Sequence, residues 1–81
     1  MVYLYILQSE IDKGYYVGIS KNVQSRLECH NKGRVRSTKY RKPFKVIYTE
    51  QYDTLVQARD REKHLKSYKG SKEKLTILKN L

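Results

Sequence analysis

Five side chains in this sequence are of types that bind phosphate or metal ions or move a proton. They are Tyr5, Tyr16, Arg26, His30 and Glu62. A guanidinium or an imidazole can hold an anionic phosphate, a carboxylate can hold a metal ion, and a phenol can donate or accept a proton. Each also has an ordinary structural explanation, which depends on the element that carries it.

The two tyrosines lie in segments that predict a β-hairpin. Residues 2–7 and 15–19 are rich in β-branched and aromatic residues, and Asp12-Lys13-Gly14 between them predicts a turn. Side chains alternate between the two faces of a strand. If the aliphatic faces pack on the core, Tyr5 and Tyr16 project together from the opposite side. They then either line a half-buried sheet face or point into a cleft.

Arg26 and His30 are four residues apart on a predicted helix over residues 23–32, so they are neighbours on its surface. Both border the inward stripe of that helix, which holds Val23 and Leu27. Two interpretations remain open. Either the pair holds a phosphate, or Arg26 pairs with a carboxylate while His30 only packs.

Glu62 occupies a position where the second predicted helix calls for an apolar residue. Leu55, Ala58 and Leu65 form a core stripe in which Glu62 is the missing member. A carboxylate in a core stripe is costly unless it is paired or binds a metal. Glu62 is therefore a metal ligand or half of a buried salt bridge, for example with Arg26. The other charges of this helix are explained as solvated: Arg59, Asp60, Arg61, Lys63 and Lys66.

The remaining elements complete an α+β arrangement. Residues 44–50 predict a third strand, residues 54–66 the second helix, and the segment after Gly70 a short third helix. The expected N-caps of the three helices are Asn22, Thr54 (in a capping box) and Ser71. The order ββαβαα predicts a small three-stranded antiparallel sheet flanked by helices. A chain of 81 residues, from 1 to 81, fits a single domain.

The charge balance points to a polyanionic partner. The chain has 18 Lys and Arg against 8 Asp and Glu, a net charge of +10. Nucleic acid is the commonest such partner, although an anionic membrane surface would also attract this charge. The single Cys29 excludes a disulfide framework and a cysteine-based zinc site. The longest apolar run, Val2 to Leu7, is far below the roughly 20 residues that cross a bilayer, and no secretory leader is evident, so we expect a cytoplasmic protein.

Seven of the cations lie between Lys32 and Lys45, in a basic segment without a single acidic residue. We expect this basic segment to grip phosphates beside a cleft, and the alternative is an ordinary solvated, mobile loop. The residues expected to contact nucleic acid are Lys32, Arg34, Arg36, Lys39, Tyr40, Arg41 and Lys42. The ring of Tyr40 could stack on an unpaired base.

The motifs that carry these residues resemble those of the GIY-YIG endonuclease superfamily. Tyr3-Leu4-Tyr5, ten residues, and then Tyr16-Val17-Gly18 resemble its paired signature. Arg26, ten residues after Tyr16, stands where that family carries its catalytic arginine, and His30 stands at a position that is His or Tyr in several members.

The third block of the resemblance is Ala58-Arg59-Asp60-Arg61-Glu62-Lys63, in which Glu62 matches the metal-binding glutamate of the family. The resemblance covers about residues 2 to 78. It is nearest to small stand-alone bacterial members, which are similar to the nuclease module of the DNA-repair excinuclease. Two positions depart from the family pattern: Tyr3 replaces a glycine, and Ile19 replaces a lysine found in many members.

The resemblance implies a nuclease that hydrolyses phosphodiester bonds with one Mg²⁺ or Mn²⁺ held by Glu62. It implies Tyr16 as general base towards the attacking water and Tyr5 as the group that positions this water. A free phenol has a pKa of about 10, so such a base needs cations nearby. Arg26 would fork onto the phosphate oxygens, and His30 would help with the proton or hold a phosphate.

Two other classes of protein share part of this pattern. A non-catalytic nucleic-acid-binding module with the same fold predicts binding that is indifferent to Glu62 and to Mg²⁺, and a protein-interaction domain explains the basic segment poorly. The five site residues favour the nuclease. We expect structured or damaged DNA, rather than RNA, as the substrate. Because no base-reading recognition helix is evident, substrate shape or a partner protein would supply specificity. Cys29 and His64 are expected to be structural or surface residues.

Overall fold

A three-stranded antiparallel sheet lies at the centre of the protein, in a computed structural model that describes residues 1–67 and 70–81. The strands are β1 (Val2–Ser9), β2 (Tyr15–Ser20) and β3 (Phe44–Tyr52), and the helices are α1 (Val23–Asn31), α2 (Leu55–Lys66) and α3 (Ser71–Lys79). The strand order in the sheet is β2-β1-β3. The predicted α+β fold with the order ββαβαα is confirmed, although β1 and β3 each extend two residues further than predicted.

The β1–β2 hairpin has the turn and the register that bring the tyrosines together. In the turn, the Oδ1 atom of Asp12 accepts a hydrogen bond from the backbone N–H of Gly14 at 2.7 Å. In the ladder, Tyr5 lies directly opposite Gly18. Tyr16, two residues before Gly18, therefore projects from the same face of the sheet as Tyr5.

The two faces of the sheet pack against different helices. The aliphatic face forms one cluster with α2 and α3, whose members include Leu4, Ile6, Val17, Leu65, Ile77 and Leu78. The tyrosine face forms a second cluster with α1, whose members include Tyr5, Leu7, Phe44, Tyr16, Val23 and Leu27. The predicted alternation of β1 and the predicted inward stripe of α1 are thus both confirmed.

The predicted N-caps are confirmed at two of the three helices. The Asn22 side chain accepts a hydrogen bond from a backbone N–H of the first turn of α1 at 3.0 Å, and Thr54 and Gln57 form both halves of a capping box on α2. The prediction for the third helix was wrong, because Gly70 rather than Ser71 is the N-cap residue of α3. Gly70 already has helical φ and ψ of −78° and −12°, so the helix begins one residue earlier than expected.

The predicted core stripe of α2 is only partly correct. Ala58 and Leu65 are fully buried, but Leu55 is 45% exposed. Arg61, which was expected to be solvated, instead lies against the sheet and forks onto the carboxylate of Glu50 with N–O distances of 2.9 and 3.1 Å.

Glu50 is the acceptor at the centre of a network that joins β3, α2 and α3. It accepts hydrogen bonds from the hydroxyls of Tyr48 and Tyr52 as well as from Arg61, which also pairs with Glu73 of α3 at 2.7 Å. Burial alone would raise the pKa of Glu50, but the hydrogen bonds from Arg61, Tyr48 and Tyr52 outweigh it and hold that pKa below its usual value. Among the described residues, no helix has the length and apolar character that crossing a membrane requires.

Candidate active site

The predicted site residues gather around the hydroxyl of Tyr5. The ring of Tyr5 is 1% exposed, and its Oη atom is hydrogen-bonded to Nε2 of His30 at 3.2 Å. The ring of Tyr16 stacks beside it, with 6.4 Å between the centroids. The guanidinium of Arg26 and the carboxylate of Glu62 both lie near enough to shift the pKa of Tyr5. Side chains from β1, β2 and α1 therefore lie together here, and Glu62 of α2 is within electrostatic range of them.

Gly18 provides the space in which the Tyr5 ring lies. A Cβ atom at position 18 would be 2.5 Å from Oη and 2.6 Å from Cζ of Tyr5, both far inside contact distance. The phenol thus lies flat across the neighbouring strand, directly over the backbone of the residue that pairs with it. Gly18 of the second motif is therefore needed because the ring of Tyr5, in the first motif, occupies the space that a side chain at position 18 would fill.

The environment of Tyr5 keeps its hydroxyl protonated at neutral pH. Burial raises the pKa of Tyr5 to about 12, against the hydrogen bond from Arg26, which acts in the opposite direction. Tyr16 is only half-buried, and the Lys66 ammonium lies 5.5 Å from the centroid of its ring. The two phenols of the site therefore occupy different surroundings: one is enclosed, and the other is open to solvent and close to a cation.

His30 is fully buried behind the two phenols. Its ring centroid lies 4.8 Å from that of Tyr16 and 5.9 Å from that of Phe44. Burial lowers the pKa of His30, and the positive charge of Arg26 lowers it further, so the imidazole is neutral at pH 7. A buried and neutral ring cannot bind a substrate phosphate directly, which leaves proton handling or packing as its role.

Arg26 is exposed beside this cluster. Within residues 1–67 and 70–81, no carboxylate forms an ion pair with it. The salt bridge to Glu62 that remained open in the sequence is therefore not present in the described part of the chain. A guanidinium that is free of carboxylates, and near a phenol, is well placed to take phosphate oxygens in a forked contact.

Glu62 lies at the edge of α2 rather than in the core stripe. Its side chain is 21% exposed, and its Oε2 atom accepts a hydrogen bond from Lys66, one turn later, at 3.2 Å. The expectation of a core position was wrong because the helix turns Ala58 and Leu65 towards the sheet and leaves Glu62 at the side facing β2 and Tyr5.

Glu62 could hold a Mg²⁺ or Mn²⁺ ion to which the protein supplies few ligands. It is not part of a site that surrounds a metal with protein side chains in the described residues. In the described residues, no three His, Cys, Asp or Glu side chains converge to hold a metal ion. Mg²⁺ keeps several water ligands and is commonly held by one or two carboxylates together with substrate phosphate. A single partly exposed carboxylate fits that pattern, in which further oxygens come from water and substrate.

The basic segment is tied to the rest of the protein by specific contacts. The guanidinium of Arg41 pairs with Asp12 in the hairpin turn at 2.7 Å, and Lys45 pairs with Glu10 at 3.5 Å. The basic segment itself holds no carboxylate, but Arg41 and Lys45 find carboxylate partners outside it, because the β1–β2 turn folds against the segment. Ser9 also donates a hydrogen bond to the Arg41 carbonyl at 2.6 Å.

The other predicted nucleic-acid contacts of the segment remain open to solvent. Exposed side chains without a carboxylate partner among the described residues are Lys32, Arg34, Arg36, Lys39 and Lys42. Tyr40 is 84% exposed, and the ammonium of Lys39 lies 4.8 Å from its ring centroid. Thr38 is the exception in the segment, because it is fully buried and its hydroxyl contacts Nδ1 of His30 at 2.8 Å.

Comparison with known proteins decides the family. Residues 1–75 match the GIY-YIG catalytic domain. The chain belongs to the GIY-YIG family. It is similar to the UPF0213 proteins of Staphylococcus aureus strains Mu3 and N315, with 37% identity over 78 residues that cover 95% of this chain and 93% of each relative. The solution NMR structure of the UPF0213 protein BH0048 from Bacillus halodurans superposes with a TM-score of 0.55 and 30% identity, covering 98% of this chain and 86% of that one.

Membership gives the site its class of chemistry, because GIY-YIG domains are generally nucleases and act on nucleic acid. The site of this GIY-YIG domain has a cavity of about 300 Å³ beside it, on the same face of the sheet. The cavity is lined by Tyr3, Lys21, Asn22, Val23 and Thr49, so the five predicted site residues lie next to it and not in its wall. Tyr3 stands where the family signature has glycine.

Two residues of the GIY-YIG site were missed in the sequence. Lys66 pairs with Glu62 and lies over the Tyr16 ring, and its position four residues after Glu62 is a signal that could have found it. Thr38 contacts His30, and no periodic pattern could have found it, because it lies in an irregular segment where burial does not follow from spacing.

Proposed function

We propose that this GIY-YIG domain is a divalent-metal-dependent endonuclease that hydrolyses phosphodiester bonds in structured or damaged DNA. The observation that carries the proposal is that His30, Tyr16 and Arg26 surround Tyr5 from two other elements, with the carboxylate of Glu62 on α2 within electrostatic range of the same hydroxyl. A protein that only binds DNA has no need of a phenol pair, a neutral imidazole and a carboxylate in one place.

Each group then has a part in hydrolysis. Arg26 donates its N–H groups to the non-bridging oxygens of the phosphate and stabilises the charge that develops there. In its phenolate form, Tyr16 takes a proton from the attacking water on Oη and becomes a neutral phenol, and the Lys66 ammonium lies 5.5 Å from the centroid of its ring. Tyr5 stays protonated and orients this water through its oxygen, while His30 holds the Tyr5 hydroxyl in place.

Glu62 is the residue that would hold a Mg²⁺ or Mn²⁺ ion. When bound, such an ion supplies Lewis-acid stabilisation of the phosphoryl and leaving oxygens. The Lys66 ammonium neutralises Glu62 in the free protein, and only one of its two carboxylate oxygens takes part in that contact.

The exposed cations of the basic segment supply the grip on the DNA backbone. Contacts of this kind position a substrate without reading its sequence. The side chain of Tyr40 stands clear of the protein and can stack on an unpaired base, as in nicked or branched DNA. We therefore assign the choice of site to substrate shape or to a partner protein.

The test is a cleavage screen of branched, flapped, nicked and single-stranded DNA with Mg²⁺ or Mn²⁺. Glu62→Gln keeps the shape of the side chain but removes its charge, so we expect metal-dependent cleavage to be lost while DNA affinity stays within about twofold. The matched control is Glu28→Gln, at an exposed carboxylate of α1. Arg26→Ala should lower the rate by about 10²-fold or more, as does removal of one transition-state donor elsewhere.

The same screen separates the nuclease from a non-catalytic DNA-binding module. The ion pair between Glu62 and Lys66 would suit such a module, because it satisfies the carboxylate without a metal. If the wild type binds DNA but cleaves no substrate with either metal, and Glu62→Gln behaves like the wild type, the binding module replaces the nuclease.

A further inference from the structure

Thr38 is a buried hydroxyl in an exposed, highly charged segment, and the proposed chemistry does not use it. It is 0% exposed, whereas Tyr40 two residues later is 84% exposed. The backbone turns tightly on both sides: the Thr38 N–H donates to the Val35 carbonyl at 3.1 Å, and the Arg41 N–H donates to the Thr38 carbonyl at 2.9 Å. Ahead of β3, the basic segment thus folds inward at Thr38, which reaches the site.

The contacts of Thr38 form a chain of hydrogen bonds that ends at Tyr5. Its Oγ1 atom lies 2.8 Å from Nδ1 of His30 and donates its own proton to the Val35 carbonyl at 3.4 Å. On the other side of the ring, Nε2 of His30 lies 3.2 Å from the Tyr5 hydroxyl. Thr38 and His30 are both 0% exposed, so water cannot replace a missing partner of Nδ1.

Counting protons leaves two directions for this chain, and the contact of Thr38 with the Val35 carbonyl favours one of them. A hydroxyl has one proton, and a neutral imidazole carries one N–H and one acceptor nitrogen. The Val35 carbonyl gives the Thr38 proton an acceptor, which leaves Oγ1 free to accept Nδ1–H of His30. Nε2 is then the acceptor, and the Tyr5 hydroxyl donates to it. The lone pairs of Tyr5 are left facing Arg26 and the site.

We propose that Thr38 is a positioning residue, which holds His30 in the tautomer with its proton on Nδ1 so that Nε2 accepts the proton of the Tyr5 hydroxyl. In this tautomer Tyr5 can only accept a hydrogen bond from a water in the site. With the proton on Nε2, the Tyr5 oxygen would accept from His30 and its proton would point into the site instead. The importance of this orientation for catalysis rests on the proposed nuclease function, but the tautomer itself does not.

The decisive measurement is the tautomer of His30 in the wild-type protein, from ¹⁵N NMR of the imidazole nitrogens at neutral pH. Protonated and unprotonated ring nitrogens have well-separated chemical shifts, and the chain has only one other histidine, His64, which His64→Gln removes from the spectrum. We expect the proton of His30 on Nδ1. A proton on Nε2 in the wild type would overturn the proposal, and this result needs no variant that has to fold.

Variants at position 38 test whether Thr38 is the cause. Thr38→Val keeps the shape but has no acceptor for Nδ1–H, so we expect the proton to move to Nε2, where the Tyr5 oxygen can still accept it. Thr38→Ser restores the hydroxyl and should restore the Nδ1–H form. Ser37→Ala, at the exposed neighbouring residue, is the matched control and should leave the tautomer unchanged. An Nδ1–H proton that persists in Thr38→Val would refute the role of Thr38.

Kinetics separate this role from a purely structural one. With the proton on the wrong nitrogen, kcat should fall by roughly 10- to 100-fold in Thr38→Val, less than the loss of a whole general base, with the KM for DNA little changed and kcat rescued in Thr38→Ser. If DNA is never cleaved but the tautomer follows the residue at position 38, the proposed function fails and the role of Thr38 stands. If DNA is cleaved and the tautomer does not change with the residue at position 38, the proposed function stands and the role of Thr38 fails.

Discussion

The close approach of Tyr5 to Gly18 makes one substitution especially informative. In Gly18→Ala, the new Cβ atom would lie 2.5 Å from Oη, 2.6 Å from Cζ and 2.9 Å from Cε2 of Tyr5. The first of these distances is about 0.9 Å short of the 3.4 Å at which ordinary contact begins. Three atoms of one rigid ring must therefore move together, and they belong to a side chain that is only 1% exposed.

The expected destabilisation has two parts. Overpacking of a core by extra carbon typically costs about 1–3 kcal/mol. Displacement of the hydroxyl also breaks its 3.2 Å contact with His30, and a buried polar group left without a partner costs about 1–3 kcal/mol more. A total of about 2–6 kcal/mol, at about 4–8 °C per kcal/mol for a domain of this size, corresponds to a fall in Tm of roughly 8 °C or more. The nuclease rate should fall as well, because the site is built around the displaced hydroxyl.

The assay is thermal and urea unfolding of Gly18→Ala beside Gly14→Ala. Gly14 offers a matched control: its new Cβ would be 2.7 Å from a guanidinium nitrogen of Arg41 and 3.0 Å from Oδ1 of Asp12, the ends of flexible and solvent-exposed side chains that can move aside. In a Tyr5→Leu background, which lacks all three clashing atoms, the penalty of Gly18→Ala should disappear. A Tm that falls by less than about 4 °C, or an undiminished penalty in Tyr5→Leu, would refute this account of the motif.

Three further predictions follow from the charged groups. Burial lowers the pKa of His30, so the contribution of His30 to stability is complete above pH 6.5 and declines as the pH falls below that value. His30→Asn should therefore flatten the dependence of the unfolding free energy on pH between about pH 6.5 and 5, and an unchanged dependence would contradict this prediction. Arg61→Met leaves the carboxylate of Glu50 without its cation and should lower the free energy of unfolding in urea by about 2–4 kcal/mol, somewhat less than is usual for fully buried pairs. A decrease of less than about 1 kcal/mol would count against the network. The five cations of the basic segment that have no carboxylate partner among the described residues contribute about −4.5 to the slope of log K against log salt on duplex DNA, and Lys39→Gln should reduce this slope by about 1. Arg41→Gln should leave the slope unchanged, because Arg41 is already paired with Asp12, and an equal effect of both substitutions would contradict this assignment.

Local patterns in the sequence were sufficient to predict the hairpin and the placement of its tyrosines. Strand alternation assigns each side chain to a face, and the turn at Asp12 to Gly14 sets the register that brings Tyr5 and Tyr16 together. The caps at Asn22 and Thr54 are local for the same reason, since each needs only the backbone of its own first turn.

The charges of α2 show where local patterns fail. Arg61 and Glu62 are adjacent, so a shift of one residue in the assumed phase of the helix exchanges their surroundings. Only a few apolar residues mark the buried side of this helix, which is too few to fix that phase. The deciding factor is Glu50, eleven residues before Arg61 on β3, whose carboxylate draws Arg61 against the sheet and leaves Glu62 beside Tyr5. The sequence of α2 alone cannot reveal this partner, because Glu50 lies on β3.

Local sequence is also insufficient for the basic segment. Much of the net charge of +10 lies there, but only some of its cations are unpaired. Its position depends on contacts with distant parts of the chain: Arg41 with Asp12, the Arg41 carbonyl with Ser9, and Thr38 with His30. Because Thr38 is hydrogen-bonded to a ring that also contacts Tyr5, the backbone that presents the free cations and the side chains that would act on a phosphate share one buried support. A displacement of that support would alter both the grip on DNA and the orientation of the Tyr5 hydroxyl. Loss of Lys39, whose side chain is exposed, would alter only the first.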